Sequence, residues 1–341
     1  ERIRAAAVRV LSDWHSQLEP GMLWFTRAVQ DSHPQVRLEA VNALREVGNR
    51  QAVEIAMQAA DWPLDQNLDF ALWRTARMLQ QHWLPAFQQG EEVFGGVPAR
   101  LAFALAATNN RDSLSGLARL VETEGLDLDQ RINAMKVLAS LGTVEHRALV
   151  LERLADFEES NRLAVLAALL ESERQAPANA DRLVEMLNAQ NRGVQNAVVR
   201  LAGHWQLAKA YEPISQILTQ EGAPYDARLA AARSLAAINP EQARQRFKDV
   251  VMKSSIRNAQ ATAIAAWIES DAEEAATAAV EFLSQTQDQA ETPQIFAAFV
   301  EQKEGPELLA KALAGRQLAA SVAAAGIQQA EQSGRDLSAL I

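Results

Sequence analysis

Residues 33–48, HPQVRLEAVNALREVG, carry their hydrophobic side chains at the spacing of a broad buried helix face. Pro34 suits the first position of a helix, because its missing N–H would have no partner there and its ring fixes φ at a helical value. Gly48 stands where a left-handed residue commonly ends a helix. The pattern predicts a helix that begins at Pro34 and ends before Gly48.

The same pattern returns along the whole chain. Aligning the residue that stands near the start of each helix gives steps of 31 to 33 residues through Arg4, Arg37, Asp69, Arg100, Arg131, Arg162, Gln195 and Arg228. Such a steady period indicates internal repeats. Besides 33–48, the pattern occupies residues 2–14, 67–79, 98–109, 129–142, 161–172, 193–205, 226–238, 258–270, 292–302 and 317–330.

Weaker amphipathic segments lie between these helices, for example at 49–61, 143–156 and 180–190, and an Asn, Thr or Asp near their start can cap them. Each repeat is therefore predicted to be a helix pair. We expect an all-α fold, an α-solenoid of HEAT-like repeats with a period of about 31–33 residues and a right-handed superhelix. One domain of about ten repeats would cover residues 1–341.

The two ends suggest a piece of a longer polypeptide. The chain starts without Met and inside a segment of the second-helix pattern, and residues 334–341, GRDLSALI, resemble the start of another pair. Terminal repeats of a solenoid need a polar outer face, and neither end has an obvious one.

Composition and charge limit the classes of partner that the chain is expected to bind. The formal net charge of −10 disfavours nucleic acid, because affinity for phosphate backbones comes largely from Lys and Arg. The absence of Cys excludes disulfides, thiolate metal sites and covalent haem attachment within this chain. The longest apolar runs are too short to span a bilayer, so no membrane insertion is expected. Proteins, or neighbouring domains of the same polypeptide, are the expected partners, and carbohydrate is a further possibility.

No catalytic, cofactor-binding or metal-binding residue is predicted, and we expect no enzyme activity in this chain. None of the five His residues stands three or four positions from another, as paired metal ligands on a helix would. Acidic neighbours such as Glu91 and Glu92 point about 100° apart on a helix and are expected to be solvated. The common nucleophile and phosphate-binding motifs are absent.

The recurring arginines have two interpretations, a ligand site or a structural ladder. A ladder is favoured, in which an acidic residue in or near the turn pairs with the arginine, often across repeats. The predicted ladder residues are Asp31, Arg37, Arg100, Arg131, Arg162 and Arg228, and Asp129, Glu159 and Asp226 are further acidic partners.

Five of the seven tryptophans lie in the first quarter of the chain. Packing between repeats is the favoured role, and the alternative is an aromatic patch that docks a partner or a sugar. Trp73 is expected on the apolar side of its helix, together with Phe70. Trp24, Trp62 and Trp83 form the possible interaction patch, and Trp62 and Trp83 are expected to be partly exposed because they flank turns.

Several segments carry a family resemblance: Asp-x-Asn-Leu-Asp-Phe-Ala-Leu-Trp at 65–73, Trp-Leu-Pro at 83–85, Phe-Gly-Gly at 94–96 and RAAAVRVLSDW at 4–14. They resemble the HEAT-like region of planctomycete-type multidomain proteins, sorbosone-dehydrogenase-like with a cytochrome c-type domain. The resemblance implies a bacterial dehydrogenase-like parent, expected to be an oxidoreductase, whose repeats link a β-propeller to a haem-binding domain in the periplasm or another extracytoplasmic space. This chain has no Cys-x-x-Cys-His and no pattern of propeller strands, so the activity of such a parent does not transfer to it.

The sequence leaves three candidate functions. The adopted prediction is a non-catalytic scaffold and protein-interaction module. The alternatives are a HEAT-like enzyme or lyase subunit, and a carbohydrate-binding or electron-transfer partner surface. Exposure of Trp24, Trp62 and Trp83 would favour the last of these over the first.

Overall fold

The computed structural model describes residues 1–17, 21–89, 91–108, 111–122, 126–287 and 291–332. All regular elements within these ranges are helical, which confirms the predicted all-α class. The α-helices are α1 Arg2–Trp14, α2 Gly21–Val29, α3 Pro34–Val47, α4 Arg50–Ala56, α5 Gln66–Met78, α6 Gln80–Gln88, α7 Pro98–Thr108, α8 Arg111–Glu122, α9 Leu128–Leu141, α10 Val144–Arg153, α11 Glu159–Leu170, α12 Arg182–Met186, α13 Arg192–His204, α14 Tyr211–Thr219, α15 Tyr225–Ile238, α16 Pro240–Lys253, α17 Arg257–Trp267, α18 Ala272–Ser284, α19 Thr292–Glu301, α20 Gly305–Leu313 and α21 Ala320–Gln332. Short 3₁₀ helices occupy His15–Gln17, Met57–Asp61, Phe94–Gly96, Leu154–Asp156 and Ala208–Ala210.

The odd-numbered helices coincide with the segments that share the hydrophobic pattern. Each predicted segment begins and ends within about three residues of its helix, a margin ordinary for helix ends. The predicted helix pair at GRDLSALI, residues 334–341, lies outside the described residues.

Helix α3 shows why the pattern ends where it does. His33 is the N-cap, and its ring nitrogen accepts a hydrogen bond from the N–H of Gln35 at 3.2 Å. At the other end Gly48 has φ 70° and donates its N–H to the carbonyl of Leu44. A Cβ is disfavoured at this φ, so glycine allows the chain to leave the helix here.

The described residues form two compact units, Glu1–Asp156 and Phe157–Ile341. In the first unit α1 packs on α3, α3 on α5, α5 on α7 and α7 on α9. The even-numbered helices lie beside them, with α2 against α3 and α4, and α8 against α7 and α9. The first unit therefore consists of successive helix pairs whose second helices pack on one another.

The second unit repeats this arrangement. Here α11 packs on α13, α13 on α15, α15 on α17, α17 on α19 and α19 on α21. Helices α14, α16 and α20 each pack against the odd-numbered helix that follows or precedes them. The prediction of one domain over residues 1–341 stays a prediction.

Small side chains set the spacing of the stacked helices. Alanines such as Ala40, Ala76, Ala202 and Ala231 are fully buried on the odd-numbered helices. Burial of their apolar surface stabilises the fold by about 25 cal/mol per Å².

Among the described helices, none combines the length and apolar character that crossing a bilayer requires.

Candidate interaction site

The recurring arginines hold the turn that precedes each second helix. Arg37, Arg162 and Arg228 are each the fourth residue of their helix, and their guanidinium groups reach back to main-chain carbonyls. The contacts are Arg37 Nη1 to Asp31 O at 2.8 Å, Arg162 Nη2 to Phe157 O at 2.9 Å and Arg228 Nη2 to Gln220 O at 2.7 Å. Because a buried carbonyl without a partner is costly, these bonds join each turn to its helix.

At two of the repeat positions a glutamine, in place of arginine, donates a hydrogen bond to a turn carbonyl. Gln195 donates to the Leu187 carbonyl at 2.7 Å. Gln260, 32 residues after Arg228, donates to the carbonyls of Val251 and Ser254, both at 2.9 Å. The alignment of repeats within the sequence ended at Arg228 and missed Gln260. Its spacing from Arg228 and its amide donor together identify it as the equivalent residue.

The acidic partners of the arginines differ from those expected. The Asp31 carboxylate accepts two hydrogen bonds from Arg4, at 2.7 and 3.0 Å, whereas Arg37 donates to the main-chain carbonyl of Asp31 and not to its carboxylate. The Arg4 guanidinium lowers the pKa of Asp31 below its usual value. Arg100 pairs with Asp61 at 2.8 Å. Both ion pairs join successive helix pairs.

Two other expected pairs do not form among the described residues. Asp129 stands two positions before Arg131, and Asp226 two positions before Arg228, each pair on one helix. Residues two apart point to different sides of a helix and cannot meet, so this part of the ladder prediction was wrong. The Nε of Arg131 is buried without a hydrogen-bond partner.

Glu159 also has a different partner from the one expected. Its carboxylate accepts a hydrogen bond from the Asn191 side chain at 2.9 Å. Glu159 lies on α11 and Asn191 caps α13, so this contact too joins successive helix pairs.

The expected exposure of Trp83 was wrong. Trp83 lies within α6 and is 0% exposed. Its indole N–H donates to the Ala76 carbonyl at 3.0 Å, and its ring packs on Phe94 with centroids 5.1 Å apart. Helix α6 follows α5 with a single intervening residue, so it folds back and buries this indole. Trp83 therefore cannot belong to an exposed patch.

Trp24 and Trp62 are 48% and 38% exposed. Each ring carries a guanidinium over its face, that of Arg27 at 5.0 Å from the Trp24 ring centroid and that of Arg37 at 5.1 Å from the Trp62 ring centroid. Trp24 also lines a groove of about 460 Å³ between α1 and α2. A partner that reaches either indole would meet an aromatic surface flanked by positive charge.

A second groove of the first unit, about 350 Å³, lies across α5, α7 and α9. We call it the Asp69 groove. Asp69 and Trp73 line it from α5, Phe103 from α7, and Gln130 and Asn133 from α9. Asp69 stands at the repeat position where the other helices carry arginine or glutamine. Desolvation against the groove raises the pKa of Asp69 above its usual value, although the residue as a whole remains exposed.

Aromatic side chains continue outside the Asp69 groove. Phe70, expected on the apolar side of α5, is 58% exposed and stacks on Trp73 at 6.1 Å with 14° between the ring planes. Arg77 lies over the Trp73 ring at 5.0 Å from the centroid. The periodicity placed Trp73 on the apolar side of its helix, and in the structure it is half-buried and lines the Asp69 groove.

In the second unit the corresponding groove, between α11, α13 and α15, has about 640 Å³ and a different charge. Arg174, Arg200 and Arg233 line it together with His204 and Asp226. Arg233 is paired with Glu269 at 2.9 Å. The faces of the second helices thus carry unlike chemistry in the two units.

In the part of the chain that the structure describes, no group of three or more His, Asp or Glu side chains is arranged to hold a metal ion. A scan against protein-family models finds no match, and a search of curated proteins finds no significant relative. Fold and site define the class of the molecule: an all-α protein of successive helix pairs with grooves between its second helices.

Proposed function

We propose that this chain is a right-handed α-solenoid of about ten HEAT-like repeats that acts as a non-catalytic scaffold and binds protein partners. The observation that carries this proposal is the stacking of alternate helices, α1 to α9 in the first unit and α11 to α21 in the second. Repeats that pack mainly on their neighbours form extended binding surfaces.

The hydrogen bonds of the periodic polar residues support a structural role for these residues. Arg37, Arg162, Gln195, Arg228 and Gln260 hold turn carbonyls, so the positions that recur most regularly are occupied by folding contacts. The residues that vary between repeats, such as those of the Asp69 groove, remain on the surface. Specific recognition by a repeat protein resides in such variable positions.

The resemblance of residues 4–14, 65–73, 83–85 and 94–96 to HEAT-like regions of sorbosone-dehydrogenase-like proteins extends the proposal. In a parent polypeptide the repeats would link a dehydrogenase-like propeller to a haem-binding cytochrome c-type domain. The partners would then be the neighbouring domains, and the setting would be periplasmic or extracytoplasmic.

The exposed indoles of Trp24 and Trp62 favour a second candidate, a carbohydrate-binding surface. Sugars stack on aromatic faces, and these two rings are reachable. However, Arg27 and Arg37 each lie over one of those faces, which leaves less of the ring open to a sugar. Protein binding remains the better supported function.

Small-angle X-ray scattering tests the architecture. A globule of this length would have a radius of gyration of about 20 Å. An α-solenoid is expected to exceed this value clearly, and a radius near that of a globule would contradict it.

Redox assays test the absence of catalysis. The isolated chain should give no dye reduction with sugars, with or without a quinone. Quinone-dependent dye reduction would remove the non-catalytic proposal. In a parent polypeptide that has them, binding of the neighbouring propeller or cytochrome c-type domain, measured by isothermal titration calorimetry, would support the scaffold role.

A further inference from the structure

Asp69 interrupts the donor series of the second helices. The fourth residue is arginine on α3, α9, α11 and α15 and glutamine on α13 and α17, but on α5 it is Asp69. A carboxylate accepts hydrogen bonds and cannot donate to a turn carbonyl. Helix α5 therefore supplies an acceptor at the place where the other helices supply a donor.

A groove lies at this position. Ala60 of the 3₁₀ helix Met57–Asp61 and Leu64 of the turn before α5 line the Asp69 groove together with Gln130 and Asn133 of α9. On α3, α11, α13, α15 and α17 an arginine or glutamine side chain reaches back to the turn from this position. Asp69 makes no such contact, and a groove of about 350 Å³ adjoins it.

The carboxylate in the groove has no counter-charge. Among the described residues Asp69 is the only charged side chain that lines the groove, and it forms no ion pair or side-chain hydrogen bond with any of them. Partial removal of a carboxylate from water is unfavourable unless a cation or donor compensates it. A ligand that brings a positive charge would supply that compensation.

We propose that the Asp69 groove binds an arginine side chain of a partner protein, whose guanidinium takes the place that the repeat arginine occupies elsewhere. The inference rests on the proposed function, since it names the partner chemistry of a protein scaffold. The guanidinium donates to the Asp69 carboxylate, and its planar fork suits a carboxylate better than an ammonium does. Phe103 and the neighbouring alanines contact the aliphatic stem.

Two observations favour an arginine-bearing peptide over a neutral sugar. Arg77 and Phe70 already cover the Trp73 ring, so the ring offers less open face for a sugar to stack on. Gln130 and Asn133 line the groove from α9; Gln130 Oε1 accepts from the Asp127 N–H, which leaves the Gln130 NH2 group and the Asn133 amide to bond to the main chain on either side of the arginine.

The test uses the full chain and three short capped peptides with central arginine, citrulline or lysine between alanines. Calorimetry at low salt should show binding of the arginine peptide, at least about tenfold weaker binding of the citrulline peptide, and intermediate binding of the lysine peptide. Asp69→Asn should weaken arginine-peptide binding about tenfold. The matched control is Asp129→Asn, the same change on an exposed residue of the same unit, which should leave binding unchanged.

A second variant does not depend on weak peptide affinity. Asp69→Arg restores the residue type of the other repeats, so its own side chain should fill the groove, abolish peptide binding and raise the melting temperature by roughly 2 °C. Equal binding of the arginine and citrulline peptides, unchanged binding by Asp69→Asn, or destabilisation by Asp69→Arg would overturn the inference. Binding of a neutral oligosaccharide in the groove would do so as well.

The outcomes separate this inference from the proposed function. If the peptides fail but the neighbouring domains bind the chain, the groove assignment is wrong and the scaffold proposal stands. If the chain reduces dye with sugar and quinone, the scaffold proposal is wrong whatever the groove binds.

Discussion

Gly203 on α13 lies against Ser234 on α15 so closely that a Cβ added to Gly203 would be 2.8 Å from the Cα of Ser234. The hydroxyl of Ser234 donates to the Val199 carbonyl of α13 at 2.9 Å. A missing side chain and a short polar one thus allow two stacked helices to touch and to form a hydrogen bond.

Gly203→Ala should destabilise the fold by about 1–3 kcal/mol, because the methyl group must displace the backbone of α15 rather than a flexible side chain. Urea unfolding followed by helical circular dichroism measures the change. Gly193→Ala on the first turn of α13 is the comparison: its Cβ would meet only side-chain atoms, Asn191 Oδ1 at 3.1 Å and Leu163 Cδ2 at 3.4 Å, so it should cost clearly less than Gly203→Ala. Equal effects at the two glycines would show that the contact between α13 and α15 is not tight.

Arg228 should be replaceable by glutamine. It is 2% exposed, its Nη2 donates to the Gln220 carbonyl eight residues back, and its Nε and Nη1 are buried without partners. Gln195 makes the same eight-residue contact with a neutral amide. We expect Arg228→Gln to cost less than about 1 kcal/mol, because it keeps the donor and removes a poorly compensated buried charge.

Arg228→Ala is the matched comparison and should cost about 2–4 kcal/mol, because it leaves a cavity and an unpaired carbonyl. Chemical denaturation of both variants decides the point. If glutamine costs as much as alanine, the role of this position is not hydrogen bonding to the turn.

The helix positions could be predicted from sequence because a 31–33-residue period and a helical hydrophobic face are local and repeated. The partners of individual side chains could not. Asp31 precedes Arg37 by six residues in the chain, yet its carboxylate pairs with Arg4 on α1. Only the stacking of α1 on α3 brings these two residues together. Trp83 flanks a turn in the sequence, and the fold-back of α6 buries it.

The Asp69 groove was visible in the sequence only as an exception. Asp69 was aligned with the arginines by period, but nothing local indicated that a groove adjoins it. That property arises from Gln130 and Asn133, more than 60 residues away, and from the turn before α5. A break in the donor series is the signal that could have identified the site.

His146 should make α10 sensitive to pH. The Thr143 N–H donates to Nδ1 of His146 at 3.1 Å, which closes a capping box at the start of α10. Burial lowers the pKa of His146 below its ordinary value of 6.5, so the fold favours the neutral ring that can accept this bond. The stabilisation is therefore fully present above pH 6.5 and is lost as pH falls through the lowered folded pKa.

His146→Gln should remove this pH dependence, because a glutamine oxygen accepts at any pH, as Gln130 does for the Asp127 N–H at 3.1 Å. The variant should gain up to about 1 kcal/mol relative to the parent between pH 8 and pH 5. Urea midpoints of both proteins across this range provide the measurement. A constant difference at all pH values would contradict the role assigned to the neutral ring.

Tyr211 should control an alkaline transition. Its hydroxyl is buried without a hydrogen-bond partner among the described residues, and burial raises the pKa of Tyr211 to about 12. A folded pKa above the ordinary value of 10.0 means that stability is fully present below pH 10 and is lost as pH rises towards 12. The loss should approach about 3 kcal/mol.

Tyr211→Phe should remove that loss and be neutral or slightly stabilising at pH 7, because it deletes an unpaired buried hydroxyl. The chain has two tyrosines, and burial also raises the pKa of Tyr225, so near-ultraviolet titration of the folded protein should show little tyrosinate at pH 10. In Tyr211→Phe the remaining titration reports Tyr225 alone. Half-ionisation of both tyrosines near pH 10 in the folded parent would show that neither ring is shielded from water, and it would remove the predicted difference between the two proteins.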